Sequence, residues 1–156
     1  MNLIVSKSFT FEASHVLPRH PGKCSRLHGH SWGLTVSVKG SVDPKTGFVL
    51  DYSLLSDLVK KEIIDLLDHT HLGQGQAVYQ GYDIKADLAG SRTSLPSFGQ
   101  SFYPSSENLV IAIAKILQPL VRELASDVHL FQVTLAETCT STAIWKEEDE
   151  SNYSAS

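Results

Sequence analysis

At 156 residues the chain has the length of one domain and enough residues for a hydrophobic core. Its 42% hydrophobic and 19% charged residues describe an ordinary globular protein, and a formal net charge of -4 excludes the broad basic field that nucleic-acid binding uses. No apolar run approaches a membrane span, and the N-terminus lacks the features of a signal peptide. Cys24 and Cys139 make no disulfide framework, so the expectation is a cytoplasmic protein with reduced thiols.

Residues 3–14 alternate apolar and polar side chains, which predicts a strand with Phe9 and Phe11 on one face. Pro18, Pro21 and Gly22 make residues 15–27 a loop. Alternation resumes at Leu34, Val36 and Val38, a second long strand over residues 28–42. Asp43-Pro44-Lys45-Thr46-Gly47 has turn chemistry, and Phe48, Val49 and Leu50 continue the sheet briefly. An apolar stripe from Leu54 to Leu67 predicts a helix with Ser53 as its N-cap. Residues 73–103, rich in Gly, Ser and Gln, form a long inserted loop of the kind that is often functional. Pro104-Ser105-Ser106-Glu107 starts a second helix that reaches Leu124, with Pro119 removing one internal hydrogen bond or bending it. Residues 128–137 and 141–147 alternate again as two more strands, and 148–156 make a polar, disordered tail. The order β-β-α-α-β-β predicts one α+β domain over residues 1–147. Its expected architecture is an antiparallel four-stranded sheet with two helices on one face.

The chemistry concentrates in Lys23-Cys24-Ser25-Arg26-Leu27-His28-Gly29-His30. In a strand, His28 and His30 point the same way, about 6.5–7 Å apart, close enough to turn their nitrogens onto one ion. His15, at the end of the neighbouring strand, is the best placed third ligand. Three histidines leave a tetrahedral zinc one open position, as catalytic sites do, although other divalent ions fit such ligands. Cys24 stands beside Lys23 and Arg26, a setting that favours the thiolate, against the alternative of an inert buried thiol. Cys139 has no such context and reads as structural. Asp68-His69 is an acid beside an imidazole, able to act as a proton-transfer pair if the helix has ended there; a solvated helix end is the plainer account. Glu137, at the end of an apolar strand, can accept two hydrogen bonds from the amidine-like edge of a heterocycle, or merely solvate the sheet edge. Glu107 is most simply a first-turn helix acid, with a substrate contact as the lesser reading.

Phe11-Glu12-Ala13-Ser14-His15, Cys24-x-x-x-His28-Gly29-His30, Leu67-Asp68-His69-x-x-Leu72, Pro104-Ser105-Ser106-Glu107-Asn108-Leu109 and Glu137-Thr138-Cys139-Thr140 occur in one order across residues 5–146. In that order they resemble the 6-pyruvoyl-tetrahydropterin synthase / 6-carboxy-tetrahydropterin synthase family. The resemblance implies the tunnelling fold (T-fold) and a homohexamer with active sites between subunits. It implies Zn2+ on His15, His28 and His30, and 7,8-dihydroneopterin triphosphate as substrate. Cys24 then accepts a proton, His69 oriented by Asp68 relays one, and Glu137 anchors the pterin's amino edge and joins the relay. Lys23 or Arg26 meets the triphosphate, though plain solubility explains both equally.

The short Cys24-to-His28 spacing and Glu137-Thr138-Cys139-Thr140 look like the bacterial branch in queuosine biosynthesis, which leaves 6-carboxy-5,6,7,8-tetrahydropterin and releases acetaldehyde and triphosphate. The biopterin branch, which forms 6-pyruvoyl-tetrahydropterin by eliminating triphosphate, is the alternative. A non-catalytic zinc- or pterin-binding module and a zinc hydrolase rank below both. Gly73 stands where an asparagine is common in the family, and the 73–103 segment is longer than in bacterial members.

Overall fold

The computed structural model describes residues 1–72, 78–79, 82–83 and 103–147. The first two alternating stretches become β1 (Asn2–His15) and β2 (His28–Ser41), antiparallel over their whole length. Their register runs from Asn2 opposite Ser41 to His15 opposite His28, and it pairs Ala13 with His30. With period-2 alternation, that register alone puts His15, His28 and His30 on one face at one end of the sheet.

Phe48, Val49 and Leu50 do not extend the sheet; they lead through bends and a coil into α1 (Tyr52–Val59). Asp51 caps this helix, not Ser53. The Asp51 carboxylate accepts the Ser53 backbone N–H and the Ser53 hydroxyl, both at 2.8 Å, so the hydroxyl expected to cap is itself a donor. A π-helical segment, Lys60–Ile64, joins α1 to the last turn α2 (Asp65–Leu67). Leu55, Val59, Ile63 and Leu67 recur every four residues and are all buried, whereas Leu54 is exposed. The wider π turn keeps that four-residue spacing from drifting off the core face.

Asp68 ends the helix with extended backbone, and His69 turns the chain in the left-handed region at φ 58. The chain then forms β3 (Thr70–Leu72), which pairs parallel to β1 at Ala13, Ser14 and His15. The sheet is therefore five-stranded and mixed, in the order β3-β1-β2 followed by the two C-terminal strands, His129–Thr138 (β6) and Ser141–Lys146 (β7), rather than four-stranded and antiparallel. Three residues are too few to carry an alternation signal, which is why β3 reads as a helix end in sequence. Val78–Tyr79 (β4) and Tyr82–Asp83 (β5) pair as a separate two-stranded ribbon. The rest of the expected insertion at 73–102 and the expected disordered tail at 148–156 lie outside the described residues.

The second long helix, α3 (Ser106–Leu124), is capped by the Ser105 hydroxyl, which accepts the Asn108 N–H. β6 (His129–Thr138) and β7 (Ser141–Lys146) complete the sheet. Simple alternation would put Leu130 and Val133 on opposite faces, yet both are buried. A register shift opposite Ser37 and Val38 accounts for this, because the extra residue of a bulge reverses the parity. One core then forms between the helices and a single sheet face, with Phe11, Trp32, Leu34 and Leu135 meeting Leu55, Ile63, Leu109 and Ile113. The reverse face is hydroxylic, with Ser6 bonded to Ser37 and Ser8 to Thr35. No helix among the described residues is long and apolar enough to cross a membrane.

Candidate active site

The apolar sheet face ends in three imidazoles. His15, His28 and His30 each offer a ring nitrogen, and these atoms lie within 4.8 Å of one another. Trp32 backs them, its ring edge-on to His15 and to His30 at 5.3 Å each. Backbone carbonyls orient two of the rings: His15 Nδ1 donates to the Pro104 carbonyl at 2.8 Å, and His28 Nδ1 to the Arg26 carbonyl at 2.7 Å. Both Nε2 atoms then carry lone pairs, and they face each other at 3.0 Å. Ligating histidines are held in this way, by an outer partner on the other nitrogen.

Glu137 enters from β6 at a second register break, between Ala136 and Thr138, where β6 bulges against β7. Its Oε1 lies 3.2 Å from His15 Nε2 and 3.4 Å from His30 Nε2. His30 Nε2 is buried and makes no hydrogen bond among the described residues. Lone pairs and a carboxylate converging on one spot repel unless a cation stands between them. A proton is a poor candidate: burial, with His28, His30 and His71 nearby, pushes the His15 pKa down to about 4 despite the bond to Pro104. Burial lowers His30 as well, against the pull of Glu137. The donor set and the orphaned nitrogen fit a divalent metal ion held by His15, His28 and His30.

An open cleft of about 480 Å³ lies at the same end of the sheet, lined by Glu12, Ser14, His30, Ser31, His69 and His71 among others. Asp68 and His69 meet here. His69 Nδ1 is 3.0 Å from Asp68 Oδ2, and the other Asp68 oxygen accepts the Glu12 N–H at 2.8 Å. That N–H, more than His69 itself, holds the Asp68 carboxyl below its ordinary pKa. The His69 N–H in turn donates to the Glu12 carbonyl at 2.6 Å, so the left-handed turn is pinned to β1 from both sides. The two sequence neighbours face each other because the helix has ended, as the pair requires.

The remaining candidates stay apart from the cluster. Cys24 is half-buried in a 3₁₀ turn (Lys23–Ser25), and its carbonyl accepts the Leu17 N–H. Among the described residues its thiol makes no bond to the histidines. Lys23 and Arg26 are exposed, and among the described residues only the Arg26 carbonyl, through His28, touches the site. Glu107 is exposed in the first turn of α3, where Ser106 bonds it.

The profile of the family described as 6-pyruvoyl tetrahydropterin synthase matches residues 4–148. The chain belongs to this family. It is similar to a Haemophilus influenzae protein named 6-carboxy-5,6,7,8-tetrahydropterin synthase, 41% identical over 44% of this chain and 50% of that protein. The chain thus spans about half the length of that relative. An Aquifex aeolicus protein of the same name is 28% identical over 92% of this chain and 98% of its own. The structure of Caenorhabditis elegans 6-pyruvoyl tetrahydropterin synthase superposes with a TM-score of 0.68 at 22% identity, covering 94% of this chain and 96% of that one. At that identity it establishes a shared fold alone.

Three features of this family member have no signature in its sequence. The Pro104 and Arg26 carbonyls orient ligands, but every residue has a carbonyl, so nothing marks those two. His71 is 4% exposed, its pKa lowered by burial, and its Nδ1 lies 2.9 Å from the Ser14 hydroxyl. This pair joins β3 to β1 on the sheet face opposite the three histidines. Its only sequence hint is an imidazole two residues beyond His69.

Proposed function

We propose that this protein is a 6-carboxy-5,6,7,8-tetrahydropterin synthase, a zinc-dependent lyase. It converts 7,8-dihydroneopterin triphosphate into 6-carboxy-5,6,7,8-tetrahydropterin, acetaldehyde and triphosphate, a step toward queuosine in the cytoplasm. The synthase domain is residues 1–147, and it works as a T-fold homohexamer with active sites between subunits. The observation that carries this reading is the cluster of His15, His28 and His30, with two rings fixed by carbonyls and one buried nitrogen left without a partner among the described residues. Five motifs in family order and the names of the bacterial relatives support the choice of reaction.

Zinc on these three nitrogens supplies Lewis acidity that makes hydroxyls of the bound substrate easier to deprotonate. Cys24, as thiolate, takes a proton from the substrate side chain. His69, held by Asp68 on one nitrogen and largely exposed, moves a proton between carbon and oxygen of substrate bound at a neighbouring subunit's histidine cluster. Glu137 accepts hydrogen bonds from the pterin's amino edge. Lys23 and Arg26 meet the triphosphate, and Glu107 contacts substrate from the start of α3. His69 is 79% exposed and Cys24 has no bond to the cleft among the described residues, which suits a site completed by a second subunit.

Product analysis tests the proposal. Zinc-loaded protein is given 7,8-dihydroneopterin triphosphate, the pterin is identified by mass spectrometry and acetaldehyde is assayed. Carboxy-tetrahydropterin with stoichiometric acetaldehyde is expected. A pyruvoyl product without acetaldehyde overturns the assignment in favour of the biopterin branch. Zinc binding with no turnover leaves a non-catalytic zinc- or pterin-binding module.

A further inference from the structure

A residue that carries a Cβ is strained in the left-handed region, and His69 stands there at φ 58. The strand that follows it is a weak restraint. β3 has three residues, lies at the edge of the sheet and pairs parallel to β1. Glu12 pins the turn through its backbone, accepting the His69 N–H at 2.6 Å and donating to Asp68 Oδ1 at 2.8 Å. Thr70 Oγ1 donates to the Leu67 carbonyl at 2.6 Å, which ties β3 back to the helix it leaves rather than to the sheet. An exposed, strained turn of this kind opens locally unless the strand behind it is anchored.

The anchor is His71. Its ring is 4% exposed, and its Nδ1 lies 2.9 Å from the Ser14 hydroxyl. Among the described residues this is the one side-chain hydrogen bond between β3 and β1. Ser14 pairs with His71 on one side and with Gly29 on the other, and a glycine has no side chain to compete for the hydroxyl. Burial lowers the His71 pKa, so at pH 7 the ring is neutral and serves Ser14 without a charge to bury. Such a pair is hard to break, because the partner left behind stays buried and unbonded. Residues 12–15 of β1 thus carry a ring of the histidine cluster on one face and the seat of the Asp68–His69 turn on the other.

We infer that the His71–Ser14 hydrogen bond is a lock that holds the Asp68–His69 turn in place, and that His71 is a positioning residue for the proton transfer assigned to His69. His71 touches neither substrate nor metal and acts through β3. Its effect on turnover rests on the proposed role of His69, whereas the lock itself is read from the protein alone. Without the bond a three-residue edge strand is free to leave β1. The turn then relaxes out of the left-handed region and the imidazole parts from the Asp68 carboxylate.

Hydrogen–deuterium exchange resolved to single amides, together with steady-state kinetics, tests the lock. The zinc-loaded wild type is compared with Ser14→Ala, with His71→Phe, which fills the space without a partner, and with His71→Asn, whose amide offers a donor and an acceptor near the place of Nδ1. Exchange of the His69 N–H should quicken about 10–100-fold in Ser14→Ala and His71→Phe and return close to the wild-type rate in His71→Asn. The double variant Ser14→Ala/His71→Phe should be no faster than either single one, because both remove the same bond. Leu34 and Val36, in the middle of β2, should exchange at the wild-type rate throughout; a residue that merely stabilises the fold would quicken them too. With 7,8-dihydroneopterin triphosphate, kcat should fall about 10-fold or more in the two unlocked variants with KM nearly unchanged, and His71→Asn should restore it. Wild-type exchange at His69 in both Ser14→Ala and His71→Phe overturns the lock; should His71→Phe not fold, Ser14→Ala, which removes a single oxygen, decides alone. Quickened exchange with wild-type kcat overturns the positioning role if Asp68→Asn still slows turnover. If Asp68→Asn also turns over normally, it is the role of His69 proposed above that fails.

Discussion

His15 makes the metal-free protein sensitive to acid in a window that can be stated in advance. The side chain is fully buried, and burial pushes its pKa from 6.5 down to about 4. A lowered folded-state value means that the folded chain binds fewer protons than the unfolded chain between those two pH values. Stability from the neutral ring is therefore complete above pH 6.5 and is lost as pH falls toward 4. The span from 6.5 to about 4, at about 1.4 kcal/mol per pH unit, makes a loss of about 3 kcal/mol from this residue. His30 and His71, both lowered by burial, add to the loss with the same sign. Asp68 and Asp51, both lowered from 3.8 by hydrogen bonds they accept, lose their contribution only below that value, outside the window.

The assay is urea unfolding of chelator-treated protein at pH 7 and pH 4, at one fixed protein concentration. Trp32 is a built-in reporter: it is fully buried with its ring against His15 and His30. The wild type should lose at least about 3 kcal/mol between the two pH values. His15→Gln, whose amide can still donate to the Pro104 carbonyl, should lose about 3 kcal/mol less across the same interval, whatever its stability at pH 7. An equal loss in both proteins would refute the claim that burial of His15 sets the acid limit.

The remaining predictions concern packing, backbone and the Asp68–His69 pair. A Cβ at Gly40 would stand 3.0 Å from the Asp127 carbonyl oxygen and from Val128, with Val49 at 3.2 Å, so Gly40→Ala should lower stability by about 1–3 kcal/mol in thermal melts. Pro119, exposed inside α3, leaves the Lys115 carbonyl without its helical donor, so Pro119→Ala should raise the urea midpoint by an amount equivalent to about 1–3 kcal/mol. Asp68→Asn keeps an oxygen for the Glu12 N–H but loses the carboxylate that orients His69. Turnover should fall about 100-fold or more while the melting temperature barely moves.

The histidine cluster is legible in the sequence because strand alternation determines which way a side chain points. Once residues 2–15 and 28–41 are strands joined by a hairpin-like connection, His28 and His30 share a face, and the register needs only to bring His15 alongside. The helices are legible for a similar reason, since the 106–124 stripe and its Ser105 cap are local signals. What stays hidden is set by contacts between distant segments. β3 is three residues long and exists because β1 offers an open edge beside the end of α2. The parity of β6 reverses at a bulge that its own sequence does not announce.

Glu137 shows the limit most clearly. Its chemistry can be read from Glu137-Thr138-Cys139-Thr140, since a carboxylate at the end of an apolar strand invites a polar partner. Its address cannot. Whether that carboxylate meets a heterocycle or an imidazole cluster depends on the register between β2 and β6 and on the break between Ala136 and Thr138. A shift by one residue would send Glu137 to the hydroxylic face with Glu12 and Ser14, and leave His30 with no carboxylate near it.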